Sequence, residues 1–141
     1  MLQAIYISAA TRKFTANELQ DLLKLARSHN HVHGISGMLV YYGGSFLQII
    51  EGPDDEVEAL IRKIKQDPRH TKFKLLFKDT IEEKEFEDWS MGFVDTTRNA
   101  KSLPGFVDYT SELQGLTIDK TRARKVLSMF HSGSWRQTVD I

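Results

Sequence analysis

The chain has 141 residues, with nineteen basic and nineteen acidic side chains, 40% hydrophobic residues and no cysteine. Its length favours a single domain, its balanced charge gives no support to polyanion binding as its main business, and the lack of thiols excludes disulfide and zinc–thiolate chemistry. No apolar run approaches the roughly 18 residues of a membrane span, and Met1–Ile7 lacks the basic region and cleavage site of a signal peptide, so a cytoplasmic protein is expected.

Leu2–Ser8 alternates and predicts a first strand, with Ala4, Tyr6 and Ser8 on one face and Ile5 and Ile7 on the other. Thr15-Ala-Asn-Glu18 has the spacing of a capping box. Leu19, Leu22, Leu23 and Ala26 follow at i, i+3, i+4 and i+7, one face of a helix predicted to end near Asn30, ahead of Gly34. Ile35–Tyr42 and Ser45–Glu51 predict two strands joined by a Gly43-Gly44 hairpin, since glycine supplies the positive φ of tight turns. Gly52-Pro53 breaks the pattern, and proline fits the first turn of a helix. Asp54, Asp55 and Glu56 complement the positive end of that helix, and Val57, Leu60, Ile61 and Ile64 make its apolar face. Phe73, Leu75 and Phe77, alternating with Lys74, Leu76 and Lys78, predict a fourth strand. Trp89, Met91 and Phe93, alternating with Ser90, Gly92 and Val94, predict a fifth.

The order β-α-β-β-α-β-β, with right-handed crossovers, places both helices on one face of a mixed five-stranded sheet. This is an α+β, ferredoxin-like plan. Residues 95–141 read as a C-terminal extension, with a loop at Leu103-Pro-Gly-Phe106 and a helix over Ile118–His131. It is too short to bury much surface alone and is expected to pack on the core.

Gln48 is the residue that ordinary packing does not absorb. It stands inside Phe46-Leu-Gln-Ile-Ile-Glu-Gly52, sharing a face with Phe46 and Ile50 while Leu47 and Ile49 take the other. A buried amide has donors and an acceptor to satisfy, and leaving them unpaired costs roughly 1–3 kcal/mol. Tyr6, Asn30, Trp89 and Met91 are singly unremarkable: a core tyrosine, a helix cap and two packing residues. His29-Asn-His-Val-His33 has metal-pair spacing if helical, but Asn30 and Gly34 suggest that the chain is leaving the helix, and no metal is expected. The run Lys120, Arg122, Arg124, Lys125 reads as a solvated helix face rather than a nucleic-acid contact.

Five segments, in order and spacing, together resemble the BLUF family, sensors of blue light using flavin. They are Ile5-Tyr6-Ile7-Ser8; Asn30 with Gly34-Ile35-Ser36-Gly37-Met38-Leu39; Phe46 to Gly52; Asp67-Pro68-Arg69-His70; and Trp89-Ser90-Met91. The resemblance covers about Leu2 to Val94, so residues 1–94 are expected to form the photosensor domain. It implies non-covalent FAD between the two helices, although FMN and riboflavin share the same ring. It implies further that Asn30 pairs with the ring edge and that Leu22 and Ile64 face its two sides. Tyr6 would be the electron and proton donor, and Gln48 would lie between Tyr6 and the flavin. Met91 and Trp89 would carry the output. His29 is expected near the ring, and Lys63, Arg69 and His70 near the ribityl chain or phosphates. A photoreceptor rather than an enzyme is implied, signalling to a separate downstream protein, with a homo-oligomer expected and no nucleic-acid or membrane partner. Two alternatives are a flavin-free ferredoxin-like adaptor and an acylphosphatase-like hydrolase. Retention of Tyr6, Asn30, Gln48 and Met91 together speaks against the first. The second wants arginine in a glycine-rich loop, and Ala9-Ala-Thr-Arg-Lys13 has no glycine.

Overall fold

The computed structural model describes residues 1–12, 14–86, 92–95 and 122–131. Its elements are β1 (Leu2–Ala10), α1 (Ala16–His33), β2 (Ser36–Tyr42), β3 (Ser45–Gly52), α2 (Asp54–Lys65), β4 (His70–Thr80), β5 (Gly92–Asp95) and α3 (Arg122–His131).

Local chemistry sets most boundaries. The Thr15 hydroxyl accepts from the Glu18 N–H while the Glu18 carboxylate accepts from the Thr15 N–H, a reciprocal capping box. The helix does not stop at Asn30. It continues to His33 and closes at Gly34 in the left-handed conformation, φ 67°. Asn30 therefore lies inside the last turn, its carbonyl accepting from the N–H groups of Gly34 and Ile35. Left-handed closure favours glycine, and the first glycine after Asn30 is Gly34. His29 and His33 thus remain on one helix face with rings 4.3 Å apart, and His33 Nδ1 lies 2.6 Å from Glu56 of α2. Among the described residues no group of three or more potential ligands could hold a metal. Pro53 occupies the cap position of α2 rather than its first turn, and the helix begins at Asp54.

The sheet order is β4-β1-β3-β2-β5. The first four strands are antiparallel neighbours, and β5 runs parallel to β2. Each crossover helix spans from one strand to the next but one, leaving a strand between, as the split β-α-β plan requires. β1 extends two residues past Ser8, to Ala10. The predicted strand Trp89–Val94 is described only over Gly92–Asp95. Trp89, Ser90, Met91, the loop at 103–106 and residues 118–121 lie outside the described residues.

Alternation sorts the core into two layers. Ala4, Leu39, Tyr41, Phe46 and Ile50 pack with Leu19 and Leu23 of α1 and with Val57, Leu60 and Ile61 of α2. Ile5, Ile7, Met38, Val40, Leu47 and Ile49 pack on the other side, with Phe86 and with Ala123, Val126, Leu127 and Phe130 of α3. Arg122 pairs with Asp79 and lies 4.6 Å over the Phe77 ring, so it is not simply solvated.

Strand β4 departs from its alternating pattern. Ile5 faces Phe77 and Tyr6 faces Leu75, so Leu76 is an extra residue opposite no partner. This bulge puts Leu76 and Phe77 together on the α3 side, while Phe73 and Leu75 stay on the side of α1 and α2. A second irregularity surrounds Lys72, at φ 54°. Bulges redirect side chains, and here they leave Phe73 stacked on Tyr6 with ring centroids 4.8 Å apart.

Candidate functional site

Tyr6 and Gln48 face each other in register on the two central strands. The Tyr6 hydroxyl donates to Gln48 Oε1 at 2.5 Å, and both side chains are buried. The amide's need for a partner, evident from its apolar neighbours, is thus met in part from β1. Burial raises the phenol's pKa well above its ordinary value; the negative charge of Asp67 adds to the rise, and Arg69 opposes it.

Above this pair the two helices and the sheet leave an open-mouthed cleft. Tyr6, Ser8 and Gln48 lie at the sheet. Leu22, Ala26, His29 and Asn30 come from α1, and Leu60, Lys63 and Ile64 from α2. Asp67, Arg69 and His70 complete the lining where α2 gives way to β4. Every expected cofactor-binding residue therefore lines one space: Asn30, Gln48, Tyr6, Leu22, Ile64, His29, Lys63, Arg69 and His70. Asn30 is 2% exposed, and His29 Nδ1 sits 3.4 Å from its Oδ1. Arg69 is not a loose cation. Its Nε donates to both Asp67 oxygens at 3.0 Å, which holds the Asp67 carboxyl below the usual range and the guanidinium above its own.

Sequence reasoning did not assign Ser8 or Asp67 to the cleft, nor the stacking of Phe73 on Tyr6. Ser8 lies two residues from Tyr6 on the same face, a signal that period-2 alternation already contained. Phe73 reaches Tyr6 only because of the β4 irregularities, and Asp67 matters through Arg69. Two cleft atoms, Ser8 Oγ and His70 Nδ1, are buried without a hydrogen-bond partner. His70 Nε2 meanwhile lies 2.6 Å from the Ile64 carbonyl. Orphaned polar atoms beside apolar walls suit a flat heterocycle with a polar edge, because such a ligand would offset their desolvation.

Comparison with known proteins agrees with that chemistry. Residues 1–92 match the family described as sensors of blue-light using FAD. The chain belongs to the BLUF family. FAD is the cofactor this family uses, and the cleft residues fit it. The chain is 34% identical over 109 residues to the photoactivated adenylate cyclase subunit beta of Euglena longa, covering 77% of this chain and 13% of that protein. The dark-state structure of the BLUF protein BlrB superposes with a TM-score of 0.68 at 27% identity, covering 93% of this chain and 92% of that one. Klebsiella pneumoniae BlrP1, solved with FMN and cyclic diGMP, gives a TM-score of 0.77 at 27% identity, covering 94% of this chain and 35% of that one. The chain thus spans about an eighth of the curated relative it matches. A BLUF domain is a sensor module and not itself an enzyme. No helix among the described residues is long and apolar enough to cross a membrane.

Proposed function

We propose that this chain is a blue-light photoreceptor in which Tyr6 and Gln48 form the photoactive pair. The observation that carries this reading is the buried Tyr6 O–H···Oε1 Gln48 bond at the cleft. Bound FAD would supply light absorption and the oxidising power of its excited ring. Leu22 and Ile64 would flank the ring and Asn30 would meet its hydrogen-bonding edge, with His29 beside it. Lys63, Arg69 and His70 would face the ribityl chain or phosphates.

On the protein's side, Tyr6 is the oxidisable group. A phenol that loses an electron becomes a strong acid, and its proton already lies on a hydrogen bond to Gln48. An amide accepts at oxygen and donates at nitrogen, so Gln48 can accept that proton at Oε1 while passing one on from Nε2, and once an electron and a proton have returned to Tyr6 it is left with rearranged hydrogen bonds. The altered bonding is the stored signal.

Residues 1–94 are the sensor domain, and its last strand, β5, acts together with residues 95–141 as the output element. A switch needs a two-state element whose balance the signal shifts. Met91 and Trp89 are assigned to carry that shift to a separate downstream protein or to a change of homo-oligomer. Met91→Ala is expected to keep the spectral change and weaken light-dependent partner release; unaltered release would remove Met91 from the route.

Absorption spectroscopy on the purified protein tests the central claim. A yellow protein whose flavin bands shift red under blue light and recover in darkness supports it. A colourless protein that takes up no added FAD would sink it.

A further inference from the structure

Among the described residues, Glu51 is the only charged side chain in the buried interior. It stands on β3 three residues beyond Gln48 and on the opposite face, level with Gln3 of β1 and Ser36 of β2. Three N–H groups converge on its carboxylate. Gln3 Nε2 and the Glu85 backbone N–H donate to Oε2, each at 2.9 Å, and the Phe86 backbone N–H donates to Oε1 at 2.7 Å.

Moving a carboxylate out of water is costly, and an apolar residue of similar volume often serves stability as well or better. Packing therefore does not explain an acid here. Its directed bonds do. Two of the donors belong to the connector after β4, where the backbone forms bends rather than helix or strand. The same connector is tied at two further points. Lys84 Nζ donates to the Gly34 carbonyl at 2.6 Å, at the end of the helix that carries Asn30. Phe86 is 2% exposed and packs in the layer that holds α3.

We propose that Glu51 is a positioning residue that latches the connector after β4 to the Gln48 strand, so that a rearrangement in the cleft reaches α3 through Phe86. The latch itself stands on the contacts above; its response to light rests on the photosensor reading.

Residue-resolved hydrogen exchange on the FAD-loaded full chain, wild type and Glu51→Gln, tests both parts. An amide at position 51 would turn an NH2 toward one of the N–H donors. In darkness the Glu85 and Phe86 amides should exchange at least tenfold faster in E51Q, while β1 amides such as Ile5 and Ile7 stay as protected as in wild type. Equal dark protection at Glu85 and Phe86 in the two proteins overturns the latch. Under blue light the wild-type pair should lose protection. E51Q should keep the flavin red shift yet show no light–dark difference at these amides, an outcome that mere loss of stability would not give. A red shift in wild type with no change at Glu85 and Phe86 overturns the transmission. A chain with no red shift fails the photosensor reading instead, and the dark comparison still decides the latch. If E51Q does not fold, wild type in darkness decides it: protection of both amides at least tenfold above an unstructured chain supports the latch, and its lack overturns it.

Discussion

The Tyr6 hydroxyl and the Gln48 side-chain carbonyl meet at 2.5 Å across the central β1–β3 pair, directly opposite in register and both buried. Neither could reach the other if either strand slipped by one residue, because a one-residue slip turns every side chain to the other face. The register of one strand pair therefore sets the relationship on which the proposed photochemistry depends.

Removing either partner should separate fold from function. Gln48→Leu is expected to give a folded, yellow protein without a red shift. Tyr6→Phe leaves the Gln48 oxygen without this donor and should cost about 1–3 kcal/mol while also abolishing the shift. Denaturant unfolding and light-minus-dark spectra check both halves. A Tyr6→Phe protein with the full red shift would remove tyrosine from the mechanism.

The raised pKa of Tyr6 predicts a specific alkaline behaviour. Burial first, then the charge of Asp67, keep the phenol protonated above its ordinary value of 10.0, against the influence of Arg69. Above about pH 10 the unfolded chain releases this proton while the folded chain retains it, so the folded state binds more protons and stability falls as pH rises. Below that pH the stabilising contribution is fully present. Wild type should lose stability more steeply than Tyr6→Phe as pH climbs past about 10. Equal slopes in denaturant titrations at several pH values would contradict the buried-phenol assignment.

Asn30 is nearly inaccessible yet lines the cleft. If its amide meets the edge of the flavin, Asn30→Ala should weaken FAD binding about tenfold or more, since tenfold corresponds to about 1.4 kcal/mol and removing a partner from a buried hydrogen bond costs about that much. Fluorescence titration with FAD measures the change. Unaltered affinity would return Asn30 to a purely structural role.

Two glycines should respond differently to alanine. At Gly37 an added Cβ would fall 1.8 Å from the Ile49 carbonyl oxygen, so β2 and β3 would have to part. Gly37→Ala should cost about 3 kcal/mol or more, the upper end of overpacking effects. At Gly34 the nearest neighbour of an added Cβ is Pro53 at 3.8 Å, and only the left-handed backbone resists. Gly34→Ala should cost about 1–2 kcal/mol. Thermal and denaturant unfolding of the two variants should show that order.

Much of this is legible in the sequence. Thr15 and Glu18 announce the start of α1 because a capping box acts within four residues. Phe46, Gln48 and Ile50 sort to the helix side and Leu47 and Ile49 to the other because alternation is a property of a single strand. Errors arose where distant contacts decide. Asn30 resembled a helix terminus, but the turn that closes α1 needs Gly34, and the extra turn leaves Asn30 inside the helix and buried. Alternation groups Phe77 with Phe73 and Leu75, but the bulge opposite Ile5 and Tyr6 moves it to the α3 side. The burial of Glu51 was not legible, since nothing near it in sequence shows that Glu85 and Phe86 will donate to it.

By itself, then, the sequence determined the element order, the two faces of β1 and β3, the BLUF family and the oddity of an amide at position 48, all matters of local period and short motifs. The tertiary structure decided that Gln48 meets the Tyr6 hydroxyl, that Phe73 stacks on Tyr6 and that Glu51 is buried under a connector. Each of these depends on strand register or on contacts between residues far apart in the chain. Such contacts form only when the whole sheet has paired, and no window of neighbouring residues contains them.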